Sequence, residues 1–162
     1  MDITRRRALV QQYKDGIGEV DAALAGISER ELDLRPAPGK WSPREIVHHL
    51  ADSEMTSAIR LRLLLAEERP AIRGYDQDEF ARRLFYGRPI DASLAAFRWA
   101  RVSTAELLDC MSEADWRREG THSEVGHYSV DQWLEIYAVH AHDHAAQIRR
   151  ARASAGGKPP GA

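Results

Sequence analysis

The C-terminal part of the chain carries the pattern that most constrains its fold. Apolar side chains recur at helical spacing from Val130 to Ile148, which predicts an amphipathic helix with one buried stripe. His140 and His144 stand four residues apart inside this stripe, so their imidazoles lie one above the other on the same helix face. At about 100° per residue, His142 falls on the opposite face and is predicted to face water. Any fold of this chain must therefore bury two histidines together with the stripe.

Three earlier segments show a similar helical spacing of apolar residues. They run over residues 5–27, 43–68 and 91–111, and no segment shows the strict alternation of a half-buried strand. Four long helices in one chain predict an all-α fold, a four-helix bundle. About 20 residues separate the second and third helices, which predicts a long crossover connection rather than a short bundle hairpin. We expect a single domain over residues 1–152 and a flexible C-terminal tail over residues 153–162.

Capping residues mark the start of two of these helices. Ser42, Pro43 and Glu45 supply an N-cap, a proline at the first helical position and a capping-box partner, which is the strongest helix start in the chain. Ser129 and Gln132 have the capping-box spacing at the start of the last helix. The starts of the second and last helices, which carry most of the histidines, are therefore predicted from local signals.

The connections between the long helices are expected to hold only short elements. A short helix is predicted over residues 76–85, and a loop or small hairpin over residues 117–128. His122 and His127, flanked there by glycines, are expected to be solvated. Asp91 is predicted to cap the third long helix.

Composition narrows the class of protein. With 43% hydrophobic and 30% charged residues among 162, the chain is of the globular type. A net charge of -2 provides no positive electrostatic field that would attract nucleic acid. No apolar run reaches membrane-spanning length, and no signal-peptide pattern follows Met1. The single cysteine, Cys110, excludes an internal disulfide and is expected to be a small packing residue. We therefore expect a cytoplasmic protein that binds a small molecule and has no nucleic-acid or membrane partner.

The tryptophans are expected in the core: Trp41, Trp99, Trp116 and Trp133.

A third histidine is needed before His140 and His144 amount to a metal site, and the second helix offers two. His49 falls at the edge of that helix's apolar stripe, whereas His48 falls on the opposite face and is predicted to face water. Buried imidazoles need hydrogen-bond partners or a shared metal, so satisfied core histidines remain the alternative. Three protein ligands with an open position are typical of a catalytic site. Neutral nitrogen ligands favour zinc or nickel as the divalent ion.

Three stretches of the chain resemble the DinB-like superfamily, and most closely its YfiT-like branch. Trp41–Glu54 is similar to the first motif of the family, and Tyr137–Ile148 is similar to its C-terminal motif. Ile72–Asp76 is similar to the connection found in that branch. The resemblance extends over about residues 13–150. The branch is known for metal-dependent hydrolases and bacillithiol S-transferases.

The resemblance implies a four-helix bundle with a long crossover and a homodimer. It also implies a metal held by one histidine on the second helix and two on the last. Those positions match His49, His140 and His144, which the helix phases also select. Glu54 departs from the branch, whose members can have a histidine there, so substrate preference is expected to differ.

Four further residues are candidates for substrate binding or for support of the metal ligands. Arg60 lies within about 20° of His49 on the helix surface and can bind a carboxylate, although an ion pair is the simpler interpretation. Gln147 lies beside the ligands on the last helix and can support them by hydrogen bonding. Glu54 lies on the core side, where we prefer a buried salt bridge to a supporting role at the site. Tyr75 is a candidate for the mouth of the pocket.

Two enzymatic functions fit such a site. In the preferred one, the metal holds a thiol cosubstrate as the more nucleophilic thiolate for S-transfer to an electrophile. In the alternative, the metal lowers the pKa of a bound water for hydrolysis, but no general base like the Glu of a His-Glu-x-x-His helix is present. A non-catalytic metal-binding stress-response protein is a third possibility. A bundle without any metal is the least favoured.

Overall fold

Four long helices dominate the computed structural model, which describes residues 1–155. They are α1 (Ile3–Leu24), α3 (Pro43–Ala66), α5 (Asp91–Cys110) and α7 (Val130–Ala155). Three short helices lie between them: α2 (Glu29–Leu32), α4 (Gln77–Arg83) and α6 (Glu113–Trp116). The predicted four-helix bundle is confirmed, and the long connection between its second and third helices contains α4.

The order of the helices around the bundle is not the order of the chain. α1 packs most extensively on α7, and α3 packs most extensively on α5. α3 also packs on α7, and α1 on α5, whereas α1–α3 and α5–α7 contacts are few within residues 1–155. The first and second long helices therefore lie diagonally across the bundle, as do the third and fourth. This order makes α3 and α7, which carry the candidate ligands, direct neighbours.

Local capping explains where the two ligand-bearing helices begin. Ser42 accepts a hydrogen bond from the Glu45 backbone while the Glu45 side chain bonds back to the Ser42 backbone, and Pro43 is the first helical residue. The same reciprocal pair joins Ser129 and Gln132 at the start of α7. Both predicted starts are confirmed, because each satisfies backbone donors that a helix end otherwise leaves unpaired.

The other predicted helix boundaries differ from the observed ones by up to three residues. α5 follows Ile90, which makes no side-chain capping bond, so Asp91 lies in the first turn and the prediction that it caps the helix is wrong. Asp76 does cap α4, since its side chain accepts from the Asp78 and Glu79 backbones. α7 continues to Ala155, so the first three residues of the predicted tail, 153–155, are helical; residues 156–162 lie outside the described part.

A small sheet supplements the helices. β1 (Ala71–Ile72) pairs in parallel with β2 (Glu119–His122), and β2 pairs antiparallel with β3 (Gly126–Ser129). The β2–β3 pair is the hairpin predicted between residues 117 and 128. β1 was not predicted, because two residues are too few to show strand alternation. The sheet ties the connection after α3 to the segment that leads into α7.

The apolar core fills the space between the long helices. Trp133 is fully buried at its centre, and Trp116 is also buried, as predicted. Trp41 is half-buried. Trp99 is 71% exposed, so its predicted core position is wrong: α5 turns Phe97 and Arg101 inward and leaves Trp99 outside. Cys110 is also exposed rather than packed.

A buried ion pair crosses this core. Arg101 Nη1 donates to Glu54 Oε2 at 2.6 Å, and both side chains are fully buried. The other Arg101 nitrogens donate to the backbone oxygens of Tyr13 and Tyr137, and the Tyr13 hydroxyl bonds to Glu54. Arg101 of α5 therefore connects α1, α3 and α7. The predicted buried salt bridge of Glu54 is confirmed.

Gly16 marks the closest approach of α1 to this network. A Cβ at Gly16 would lie 2.8 Å from Ala141 Cβ and 2.8 Å from Arg101 Nη2. Gly16→Ala is therefore expected to lower the free energy of unfolding by about 1–2 kcal/mol, because overpacking exceeds the gain in helix propensity. Gly18 has no neighbour within 4 Å, so Gly18→Ala should raise that free energy by about 0.5–1 kcal/mol. Urea denaturation measures both; a stabilising Gly16→Ala would contradict the close packing.

Among residues 1–155, no helix combines the length and the apolar character needed to span a membrane.

Candidate metal centre

Three imidazole nitrogens converge between α3 and α7. His49 Nε2 lies 3.3 Å from His140 Nε2, and His144 Nε2 lies 3.2 Å from the same atom. His140 and His144 meet because they are one helical turn apart on the buried face of α7. His49 reaches them from the second turn of α3, 91 residues earlier in the chain. The three histidines form the one group of potential metal ligands found in the described residues.

The spacing of the three nitrogens fits a divalent ion. Zinc–nitrogen bonds of about 2.0–2.1 Å with tetrahedral angles place ligand nitrogens about 3.3–3.4 Å apart. Hydrogen bonding alone cannot satisfy the cluster, since a proton on His140 Nε2 can be directed well at one neighbour only. A cation between the three rings accepts all three lone pairs. The donor set is neutral and nitrogen-only, which suits zinc or nickel.

Burial keeps these imidazoles neutral, which is the form that binds metal. Burial, reinforced by the neighbouring His144, lowers the pKa of His49 to about 3. Burial also lowers the pKa of His140 well below its usual value, with His144 and His49 contributing next. For His144, burial lowers the pKa against an opposing hydrogen bond from Gln147. Each ring therefore keeps its free lone pair to a lower pH than an exposed imidazole does.

Gln147 fixes the tautomer of one ring. Its side-chain oxygen lies 3.0 Å from His144 Nδ1, and an amide oxygen can only accept, so Nδ1 carries the proton. His144 Nε2 is then left with its lone pair toward the other two rings. The Nδ1 atoms of His49 and His140 are buried without a hydrogen-bond partner among the described residues. Gln147 is thus the side chain that orients a candidate ligand by a direct hydrogen bond.

Gln147→Leu is expected to weaken metal binding by about tenfold to a hundredfold, because it removes the group that holds the His144 ring. Competition with a chromophoric chelator measures the affinity, and circular dichroism checks that the fold is retained. Gln11→Leu, on the exposed face of α1, is the matched control and should bind as the wild type does. Equal affinities of the Gln147→Leu and wild-type proteins would contradict this role.

Two clefts meet at the three histidines. The first, of about 490 Å³, is lined by His49, His140, Arg60 and Tyr75 together with the hairpin. The second, of about 560 Å³, is lined by His144, Gln147 and Trp41 together with the loop before α3. The cluster therefore lines two clefts, and Gln77 is part of the wall of both. The predicted site residues Arg60, Tyr75 and Gln147 all line these clefts, whereas Glu54 lies in the core with Arg101.

The family model described as "DinB superfamily" matches residues 12–148 of this chain. The chain belongs to the DinB superfamily. The match contains all three histidines of the cluster and every long helix except the ends of α1 and α7.

Relatives of this DinB-superfamily chain are named for metal-dependent hydrolysis. A protein of Oceanobacillus iheyensis named "Putative metal-dependent hydrolase" is 37% identical over 122 residues, which are 75% of this chain and 71% of that protein. One of the same name from Bacillus mycoides is 29% identical over 143 residues, covering 88% of this chain and 83% of the relative. A solved structure titled "YfiT from Bacillus subtilis is a probable metal-dependent hydrolase with an unusual four-helix bundle topology" superposes with a TM-score of 0.89. Its sequence is 27% identical, and the match covers 98% of this chain and 91% of YfiT.

Two other histidines of this DinB-superfamily chain are placed differently from the sequence prediction. His48 is fully buried: its Nε2 donates to the Arg88 backbone oxygen at 3.0 Å, and its Nδ1 lies 2.8 Å from Ser93 Oγ. The prediction that it faces water is wrong, because the connection after α3 covers the outer face of that helix. His142 points away from the cluster, as predicted, but it is half-buried and its Nε2 lies 2.8 Å from the Gln12 backbone oxygen of α1.

The hairpin contributes residues that sequence reasoning missed. His122 is only 7% exposed and lines the first cleft, so its predicted solvated position is wrong. Tyr128 and Tyr137 line the same cleft. Residues 120 and 122 of β2 face inward, but the sequence Glu-Gly-Thr-His has no apolar alternation from which this burial could have been predicted. His127 is exposed beside Glu119, as predicted for a solvated residue.

Proposed function

We propose that this chain is a metal-dependent enzyme whose divalent ion is held by His49, His140 and His144. The observation that carries the proposal is that the Nε2 atoms of His49 and His144 both lie within 3.3 Å of His140 Nε2. The names of the relatives support it at the level of metal dependence. When bound, such an ion lowers the pKa of a thiol or water that occupies its open position. The protein residues hold the three nitrogens in place and keep them unprotonated.

Between thiol transfer and hydrolysis, we propose that the site transfers a thiol to an electrophile. Transfer needs two organic reactants, and two adjoining clefts are each lined by candidate ligands. One reactant can then approach past His49 and His140 while the other approaches past His144. A one-substrate hydrolysis requires only one such cleft. The presence of two clefts at the cluster is therefore the feature that favours a transferase.

Among the described residues, no carboxylate is hydrogen-bonded to the three histidines, which favours thiol chemistry over hydrolysis. Hydrolysis profits from a carboxylate base that takes a proton from the attacking water. Glu54, the buried carboxylate nearest in sequence to His49, has its oxygens bonded to Arg101 and Tyr13. Asp76 lines the first cleft but uses an oxygen to cap α4. A thiol held as thiolate needs no such base once its proton is lost.

A metal-dependent hydrolase is the second candidate, and the names of the relatives favour it. It uses the same three histidines with water in place of the thiol. The two candidates therefore share the metal site and differ in what reacts there.

Metal analysis followed by two assays tests these functions. The purified protein should bind zinc or nickel with one ion per chain, measured by elemental analysis after dialysis. The metal-loaded protein is then offered a small thiol with an electrophile such as monochlorobimane, and separately a panel of esters and amides. Conjugation that requires the metal supports the transferase, and metal-dependent hydrolysis alone supports the second candidate. A protein that binds neither zinc nor nickel would contradict both.

A further inference from the structure

The first cleft has a polar end formed by Arg60, Tyr128 and Tyr137. Arg60 Nη1 donates to the Tyr137 hydroxyl at 3.0 Å, and Arg60 Nη2 donates to the Arg73 backbone oxygen at 2.9 Å. These two bonds hold the guanidinium in one orientation. They use two of the five N–H donors of an arginine. The remaining donors are available to a ligand.

Two buried polar atoms at this end lack a partner. Arg60 Nε and the Tyr128 hydroxyl oxygen are both buried without a hydrogen bond among the described residues, and both residues line the cleft. Buried donors in folded proteins are nearly always paired. The Arg60 Nε–H can only donate, and the Tyr128 hydroxyl can donate as well as accept, so one acceptor placed between them would satisfy both.

The positive charge that lies at this end favours an anionic acceptor. Arg60 is the cation among the residues that line the cleft. Burial raises the pKa of Tyr128 and of Tyr137, so both hydroxyls keep their protons at neutral pH. Burial, with the charge of Arg60 next, lowers the pKa of His122, which leaves that ring neutral.

The carboxylates of the cleft do not fill this need. Asp76 uses its Oδ1 to cap α4. Glu124 is exposed on the turn between β2 and β3. The polar end therefore has several donors and one positive charge, and neither carboxylate of the cleft is hydrogen-bonded to Arg60.

We propose that Arg60, Tyr128 and Tyr137 form a carboxylate-binding subsite for a substrate whose reacting group lies at the three histidines. His49 and His140 line the same cleft as the subsite, so one small molecule can reach both. A guanidinium edge and a neighbouring hydroxyl match the two oxygens of a carboxylate. The inference rests on the proposed function for the role of the histidines, and it specifies the substrate as a carboxylate-bearing thiol.

A pair of matched thiols tests the subsite. 3-Mercaptopropionate and 3-mercaptopropanamide differ in charge but hardly in size, and each is titrated by calorimetry into the metal-loaded protein. The wild type should bind the carboxylate at least about tenfold more tightly than the amide, as expected for a charge-assisted hydrogen bond. Arg60→Gln should remove this preference. Tyr128→Phe, which keeps the ring and removes the hydroxyl, should reduce it by about three- to tenfold.

Arg73→Gln is the control for the loss of a nearby positive charge. The Arg73 side chain is exposed and does not line the cleft, and its backbone oxygen remains available to Arg60. This variant should keep the carboxylate preference. Equal affinity of the wild type for the two thiols, a preference that survives Arg60→Gln, or no binding of either probe would overturn the subsite.

The same titrations also test the proposed function, through a separate absorption measurement. In cobalt-substituted protein, a thiol bound at the metal produces a sulfur-to-cobalt charge-transfer absorption. Absence of this band for both probes would reject thiol activation at the metal. A carboxylate preference without the band would still support the subsite, so the two failures are distinguishable.

Discussion

The His140→Ala variant is expected to lose high-affinity binding of zinc or nickel. His140 Nε2 is the central atom of the cluster, 3.3 Å from the His49 nitrogen and 3.2 Å from the His144 nitrogen. Its removal leaves two ligands, too few for the three-histidine sites that hold catalytic zinc. The affinity should fall by more than the roughly 100-fold that loss of a supporting hydrogen bond costs. Chelator competition at neutral pH measures the change.

His142→Ala is the matched control for this experiment. It removes an imidazole two residues along the same helix, one that contacts the Gln12 backbone of α1 rather than the cluster. It should keep the metal affinity of the wild type. His140→Ala protein that still bound metal tightly, or His142→Ala protein that did not, would show that the cluster is not the metal site.

Arg101→Met is expected to lower the free energy of unfolding by about 3–5 kcal/mol, because it leaves Glu54 buried without its counter-charge. Glu54 is only 1% exposed and Arg101 is fully buried, so water cannot replace the lost partner. The guanidinium also donates to backbone oxygens of α1 and α7, and those bonds are lost too. Guanidinium chloride denaturation at neutral pH measures the difference.

Two further variants separate the buried pair from a general effect of charge. Replacing both partners, as Glu54→Met with Arg101→Met, should recover much of the loss, since no buried charge is then left unpaired. Arg98, which lies on α5 like Arg101, forms an ion pair with Asp21 of α1, and Arg98→Met breaks this pair, whose side chains are both more than 40% exposed. It should change the free energy by no more than about 1 kcal/mol. Equal destabilisation by Arg98→Met and Arg101→Met would contradict the importance of burial.

The wrong predictions for His48 and His122 share one cause. His48 lies opposite the stripe of α3, and helix phase alone places it in water. The chain between α3 and α5 packs over that face instead, with Arg88 and Ser93 bonding to the ring. His122 was similarly assigned to a solvated loop, although the hairpin turns it into the first cleft. Helix phase describes one element, whereas burial depends on everything that packs against it.

The residues of the carboxylate subsite could also not be grouped from the pattern of any single helix or strand. Arg60 could be selected from its angle to His49 on one helix. Tyr128 comes from β3 and Tyr137 from α7, and no local pattern relates either one to Arg60. The distance of these two tyrosines from Arg60 depends on how the hairpin and the long helices pack against one another.

The sequence by itself determined where the ligand-bearing helices begin and which way their side chains point. Ser42 and Ser129 start α3 and α7 through bonds to residues three positions away, and the helical period then places His140 and His144 together. Only the tertiary structure decided that His49 lies at their level. The level of His49 depends on α3 and α7 being neighbours and on the axial position of one helix relative to the other. Local hydrogen bonds carry no information about that relative position, which side-chain packing between the helices sets.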